Sequence, residues 1–275
     1  MSENKVKAVI FDWAGTTVDY GCIAPAKVFV EVFEERGIFI NMLDARKPMG
    51  MNKKDHIREI LKEEHISALW QTKFRREWNE NDIQDLYDAF IPKQLNILKD
   101  YSDLIPGVLE VQEYLKKNDI RIGSTTGYNS EMMEIVTMKA GEQGYKPDVV
   151  ITSSDVPIGR PAPWMAIQAA MELGIYPFNH IIKVGDTLAD ISEGVNAGMW
   201  SVGVIESSNE LGLSLVDFNK LKEKDLVIFK EELRNKYKSN GAHAVIDNLK
   251  TLPRLINKIN KLINENIKPQ LVESI

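Results

Sequence analysis

The sequence predicts an α/β fold, a Rossmann-like parallel sheet core with helices on both faces and an inserted all-helical cap domain. Two observations carry that prediction. Short apolar, β-branched runs alternate with helical patterns through the second half of the chain. The long block after the first such run is almost wholly helical in pattern. The first strand falls at 7–11 (KAVIF) and runs straight into a polar turn, 12–19. Four comparable runs follow at 120–126 (IRIGSTT), 148–152 (DVVIT), 180–185 (HIIKVG) and 200–205 (WSVGVI), and a sixth strand fits 242–246. Helical patterns lie between them at 131–140, 164–173 and 189–197, and a closing helix fits 252–264. In the inserted block Pro25 opens a helix with Val28, Phe29, Val32 and Phe33 along one face and Gly37 as its stop. Further helices fit 52–61, 65–78 and 82–98. The expected organisation is a core of 1–21 plus 100–275 and a cap of 22–99. Ligands of open α/β sheets bind outside the carboxyl ends of the strands, so the cap would roof the site.

A chain of 275 residues holds one large domain, or a core with a smaller insert. With 44% hydrophobic and 27% charged residues its composition is that of an ordinary globular protein. A net charge of -6 gives a nucleic acid or an anionic membrane no electrostatic support. The expected partner is a small anionic substrate, drawn in by a local arrangement of cations and backbone amides. The single cysteine, Cys22, cannot form an intramolecular disulfide, which fits a reducing cytosol. The first residues lack the pattern of a secretory leader, and no apolar run approaches the roughly 18 residues of a membrane span. A cytoplasmic location is expected.

Four polar clusters stand where the strands end: Asp12, Thr125-Thr126-Gly127, Arg160 and Gly185-Asp186. Each alone has a plain reading, because a strand-end Asp is commonly a turn or helix cap and Arg160 could be a solvated loop residue. Together they supply a carboxylate nucleophile, a hydroxyl and amide cradle, a fixed cation and a second acid for Mg²⁺, the parts phosphoryl transfer needs. Gly15, Gly127 and Gly185 would let backbone amides approach a phosphate. In the cap, a helix over 52–61 places Lys53 on one face with His56, Ile57 and Ile60, whereas Lys54 shares a face with Arg58 and Leu61. An amine among apolar neighbours is partly desolvated and more readily neutral. Lys53 is therefore the better nucleophile of the two, with His56 placed to move protons beside it. Its plain alternative is a snorkelling surface lysine.

The stretches Phe11–Thr17 (FDWAGTT), Ser124–Gly127 (STTG), Arg160–Pro163 (RPAP) and Gly185–Asp190 (GDTLAD) resemble the haloacid dehalogenase superfamily. The resemblance implies that Asp12 attacks phosphorus, that Thr126 and Arg160 hold phosphoryl oxygens, and that Asp186 binds Mg²⁺ with Asp12. Asp190 would support the metal site, or be a plain helix-end Asp. Most phosphatases of the superfamily carry a second Asp two positions after the nucleophile, as general acid for a leaving oxygen. Here that position is Ala14. General acid–base help is worth ~10²–10⁴ in rate, so an ordinary phosphomonoesterase should not lack it. A leaving carbon needs no proton but does need an electron sink, which a protonated imine on a lysine supplies.

Ala8–Cys22, Ala45–Gly50, Lys53 with Asp55-His56, Gly123–Tyr128, Gly159–Pro161 with Pro163–Met165, and Val184–Thr187 resemble the phosphonatase family of that superfamily, over about 6–212. The resemblance implies hydrolysis of the C–P bond of phosphonoacetaldehyde through a Schiff base on Lys53 and an aspartyl phosphate on Asp12. It also implies a metal site completed by the backbone carbonyl of Ala14, and Cys22, Met49, His56 and Tyr128 near the bound aldehyde. Cys22 is equally readable as a small buried residue, and Met49 as a gap filler. A homodimer through the cap is expected by resemblance, with the apolar helix 25–35 as one surface for it. The alternatives left open are a capped phosphatase or phosphomutase acting on a small phosphate ester, a lysine-dependent aldolase, and a catalytically idle module. A solvated helix is the expectation for the charged stretch 217–238.

Overall fold

The computed structural model describes residues 4–272. Six strands, β1 (Ala8–Phe11), β2 (Arg121–Thr125), β3 (Val149–Ile151), β4 (Ile181–Gly185), β5 (Trp200–Val204) and β6 (Ala244–Ile246), form one sheet. The spatial order is β3-β2-β1-β4-β5-β6 and every pairing is parallel. From β1 the chain winds outward to β3, then returns to β4 on β1's other side. That reversal opens a crevice at the carboxyl ends of the two central strands, where open α/β sheets bind ligands.

Five helices separate β1 from the end of the inserted block: α1 (Ile23–Glu35), α2 (Met42–Arg46), α3 (Lys53–Lys62), α4 (Glu64–Phe74) and α5 (Glu80–Ile97). Next, α6 (Val108–Lys117) leads into β2, α7 (Ser130–Glu142) into β3 and α8 (Trp164–Glu172) into β4. The elements α9 (Leu188–Asn196), α10 (Leu215–Phe218), α11 (Glu223–Ser239) and α12 (Leu252–Asn264) complete the chain. β1 shows why its sequence is apolar without alternation. Ala8 and Ile10 pack with Ala166 and Ala169 of α8 on one face, while Val9 and Phe11 join a larger cluster with Leu115 of α6 and Ile256 of α12 on the other. A strand covered on both faces has no polar side to show.

Two sequence expectations are corrected here. The helix expected at 65–78 stops at Phe74, with Arg75 left-handed at φ 56. Asn79 must be extended for its side chain to cap α5, and Arg76 pairs with Asp82 at 2.6 Å, so the chain has to leave the helix before 78. The apolar face of α1, read as one dimer surface, is buried inside the chain: Val28, Phe29, Val32 and Phe33 are at most 1% exposed. Its partner is α5, where Phe90 stacks on Phe29 with ring centres 4.4 Å apart. The charged stretch forms α10 and α11, and in α11 only Tyr237 is buried. No described helix is long and apolar enough to cross a membrane.

Candidate active site

The strand register assembles the polar clusters. Phe11 lies beside Ser124 of β2 and Val184 of β4, so the next residue of each strand, Asp12, Thr125 and Gly185, leaves the sheet at one level. Asp12 keeps its place in the ladder by donating its N–H to the Val184 carbonyl at 2.9 Å. Arg160, from the loop before α8, is 2% exposed and knits the ends together. Its Nη1 donates to Asp12 Oδ1 at 2.7 Å, its Nη2 to Thr125 O and Oγ1 at 2.8 and 2.7 Å, and its Nε to Glu193 Oε2 at 2.8 Å. Thr126 accepts the N–H of Tyr128 at 3.1 Å, which fixes the turn after β2.

The glycines also allow close packing around the site. A Cβ on Gly15 would sit 2.1 Å from Asp186 Oδ2, and one on Gly185 2.2 Å from Asp190 Cγ. On their Cβ side those two glycines make room for carboxylates. A Cβ on Gly127 would meet the Met51 carbonyl at 2.4 Å, so here the inserted block touches the sheet's turn backbone to backbone.

Asp12, Asp186 and Asp190 are buried, and each offers a carboxylate oxygen within 4.8 Å of the others. Burial, and then charge repulsion from Asp190 on Asp12 and from Asp12 on Asp186, raises both carboxyls above their ordinary range. Thr16 Oγ1 and the Asn209 N–H orient the two oxygens of Asp186 at 3.0 and 2.8 Å. Asp190 differs. Burial opposes its ionisation, but Arg160 and Lys183 outweigh it and hold its carboxyl low. Its Oδ1 meets Lys183 Nζ at 2.6 Å and Arg160 at 3.0 Å, and its Oδ2 accepts from Thr187 Oγ1 at 2.6 Å. With Glu193 the described cluster holds four buried carboxylates against two buried cations, Arg160 and Lys183. A hard divalent cation bound by oxygen fits both that charge deficit and that donor set. Among the described residues Asp12 and Asp186 are the two of these carboxylates without an ammonium partner, and Ala14 shares a cavity wall with Asp12.

That cavity, about 20 Å³, is walled by Asp12, Thr126, Gly127 and Arg160 below and by Cys22, Met49 and Lys53 of the inserted block above, with Tyr128 at the side. Lys53 is 5% exposed whereas Lys54 is exposed and reaches Gln84 at 2.6 Å. The Lys53 ammonium lies 4.9, 5.5 and 5.8 Å from the ring centres of Tyr128, Phe29 and Phe90. Burial lowers its pKa to about 8, against an upward pull from Cys22 and Asp12. Burial likewise pushes the Cys22 thiol and the Tyr128 phenol well up. His56 sits outside the cavity wall. Its Nε2 meets the Ala45 carbonyl at 2.8 Å, its ring stacks on Phe29 at 3.9 Å, and its Nδ1 has no partner among the described residues. Burial and then the Lys53 charge hold its pKa well below the ordinary value, so the ring is neutral, with Nε2 as donor and Nδ1 bearing the lone pair.

A sequence model of haloacid dehalogenase-like hydrolases matches residues 6–198. The chain belongs to that family. As a haloacid dehalogenase-like hydrolase it is 50% identical to a phosphonoacetaldehyde hydrolase of Bacillus cereus, over 94% of this chain and 97% of that one. It is 47% identical to a bifunctional phosphonoacetaldehyde hydrolase/aminoethylphosphonate transaminase of Clostridioides difficile, over 98% of this chain and 42% of that one. A crystal structure of a phosphonoacetaldehyde hydrolase-like protein from Oleispira antarctica superposes with a TM-score of 0.94 at 41% identity, covering 96% of each chain.

Some residues of this haloacid dehalogenase-like hydrolase's site were not read from its sequence. Lys183 carried a signal, since a lysine inside the buried run IIKVG must find a carboxylate. Glu193 carried none, because an acidic residue in an amphipathic helix ordinarily faces water. Phe29 and Phe90 read as cap core, and their service as walls around Lys53 depends on how α1, α3 and α5 pack.

Proposed function

We propose that the chain hydrolyses the C–P bond of phosphonoacetaldehyde to acetaldehyde and phosphate, with residues 22–99 acting as a cap on a core of 1–21 plus 100–275. The observation that carries this reading is Lys53, an amine with a pKa of about 8, on the same cavity wall as Asp12. The names of the relatives support the same substrate. Lys53, in its neutral form, attacks the aldehyde carbon and forms an imine with loss of water; once protonated, that imine is the electron sink. Asp12, its Oδ1 steadied by Arg160, attacks phosphorus through its other oxygen. The C–P bonding pair passes into an enamine, so the leaving carbon needs no acid, which suits Ala14. Thr126 and Arg160 hold the phosphoryl oxygens. Water then cleaves the aspartyl phosphate, and the enamine is protonated and hydrolysed to acetaldehyde. His56, near enough to Lys53 for the ammonium to hold its pKa down, would relay protons to and from that amine during imine formation and hydrolysis. Mg²⁺, held by Asp12, Asp186 and the Ala14 carbonyl, would neutralise charge on the transferring phosphoryl group.

Borohydride added with phosphonoacetaldehyde should inactivate the protein and label Lys53. A label on Lys54, or none, would sink the Schiff-base scheme. Asp12→Ala should still form the imine yet release no phosphate, and release at a near-normal rate would remove Asp12 as nucleophile.

A further inference from the structure

Arg46, at the end of α2, is 8% exposed and takes no part in the chemistry above. A buried guanidinium ordinarily faces a carboxylate. This one is met by neutral oxygens: its Nη1 donates to Gly21 O at 2.7 Å and to Asn209 Oδ1 and O at 3.0 and 3.3 Å, and its Nη2 to Gly212 O at 3.3 Å. Asn209 answers by donating its Nδ2 to the Arg46 carbonyl at 3.1 Å. One side chain of the inserted block thus grips both the linker entering that block and the loop after β5. The gripped loop is itself built into the site. The Asn209 N–H donates to Asp186 Oδ2 at 2.8 Å, Ser207 Oγ to the Gly15 carbonyl at 2.7 Å, and the Ser207 carbonyl accepts the Gly21 N–H at 2.8 Å. Ser207, Ser208 and Asn209 are each at most 2% exposed, so the loop is held by these bonds and not by solvent.

We infer that Arg46 is a positioning residue that couples seating of the cap to the metal site: with the cap down, Arg46 fixes Asn209, and Asn209 orients the Asp186 carboxylate that would hold the cation. When the cap lifts, Asn209 loses its side-chain and carbonyl partners together, and Asp186 loses a fixed donor. The inference rests on the Mg²⁺ reading above. Partners that orient a metal-binding carboxylate typically govern metal affinity by ~10–100-fold, which sets the size of the effect.

The test is Mg²⁺ binding by calorimetry on the intact chain, without substrate, for the parent, Arg46→Met, Asn209→Ala and the double variant. The expected result is a loss of about tenfold in affinity for each single variant and no further loss in the double, as for two residues acting through one bond network. Borohydride labelling of Lys53, which needs no metal, should persist in all of them. A folded Arg46→Met that binds Mg²⁺ as the parent does, or single losses that multiply in the double variant, would overturn the coupling alone. A parent that binds no Mg²⁺ would overturn the metal reading and this inference with it. Should Arg46→Met fail to fold, Asn209→Ala decides, because it leaves the cap's own packing intact: unchanged affinity there overturns the coupling.

Discussion

Lys53 and Lys54 are neighbours in sequence, yet one lies among three aromatic rings and the other bonds Gln84 at the surface. The amine's surroundings set its proton affinity. Burial takes Lys53 from 10.5 to about 8, so half of it is neutral near pH 8 where an ordinary lysine is nearly all charged. In the proposed scheme the neutral form attacks, and the rate of borohydride labelling should then climb ~10-fold per pH unit below about 8 and level off above it. A profile still climbing at pH 10 would mean that Lys53 is solvated. The helical period distinguished the two lysines in the sequence, since period alone decides which faces inward. It could not place His56, because i, i+3 spacing names a face and not a distance from the cavity. Its ring fills the gap behind Phe29 instead of the cavity wall.

At the scale of elements, the environment of Lys53 is made by two helices that are distant in sequence. Phe29 of α1 and Phe90 of α5 stack on each other and flank the ammonium. Phe90→Ala should destabilise the chain by about 3–5 kcal/mol, seen in denaturant melts. It should also admit water and move the labelling profile upward toward that of an ordinary lysine. The turn after β2 offers a second check. In Gly127→Ala the new methyl would meet the Met51 carbonyl, so the inserted block cannot seat fully. A misplacement of about 1 Å can cost ~10²-fold, and kcat/KM should fall by that order, measured as acetaldehyde release. Helix ends were the least legible elements. α4 ends where it does because Asn79, five residues after Phe74, is committed to capping α5.

For the molecule as a whole, the sheet and its order of elements were readable because parallel strands buried on both faces leave unbroken apolar runs. The inserted helices were readable from their amphipathic period. What stayed hidden was the balance of charge, which exists only once β4 and α9 have folded against the loop of Arg160. Burial and mutual repulsion raise the Asp12 and Asp186 carboxyls, so a cation shared by them would be favoured by charge. Mg²⁺ at 100 times its Kd should therefore raise stability by about 2.7 kcal/mol, visible as a higher Tm that EDTA reverses. EDTA should also stop phosphate release, which would separate this chemistry from that of a metal-free aldolase.

Cys22 is the chain's one thiol, 2% exposed on the wall of a cavity too small for a substrate. With its acidity suppressed by burial, it is shielded from alkylation for as long as that wall stays shut. On the proposed cap reading, the rate at which a maleimide consumes it is then a clock for cap opening, one tick per exposure. The clock should stop once borohydride has fixed the substrate's carbon skeleton to Lys53.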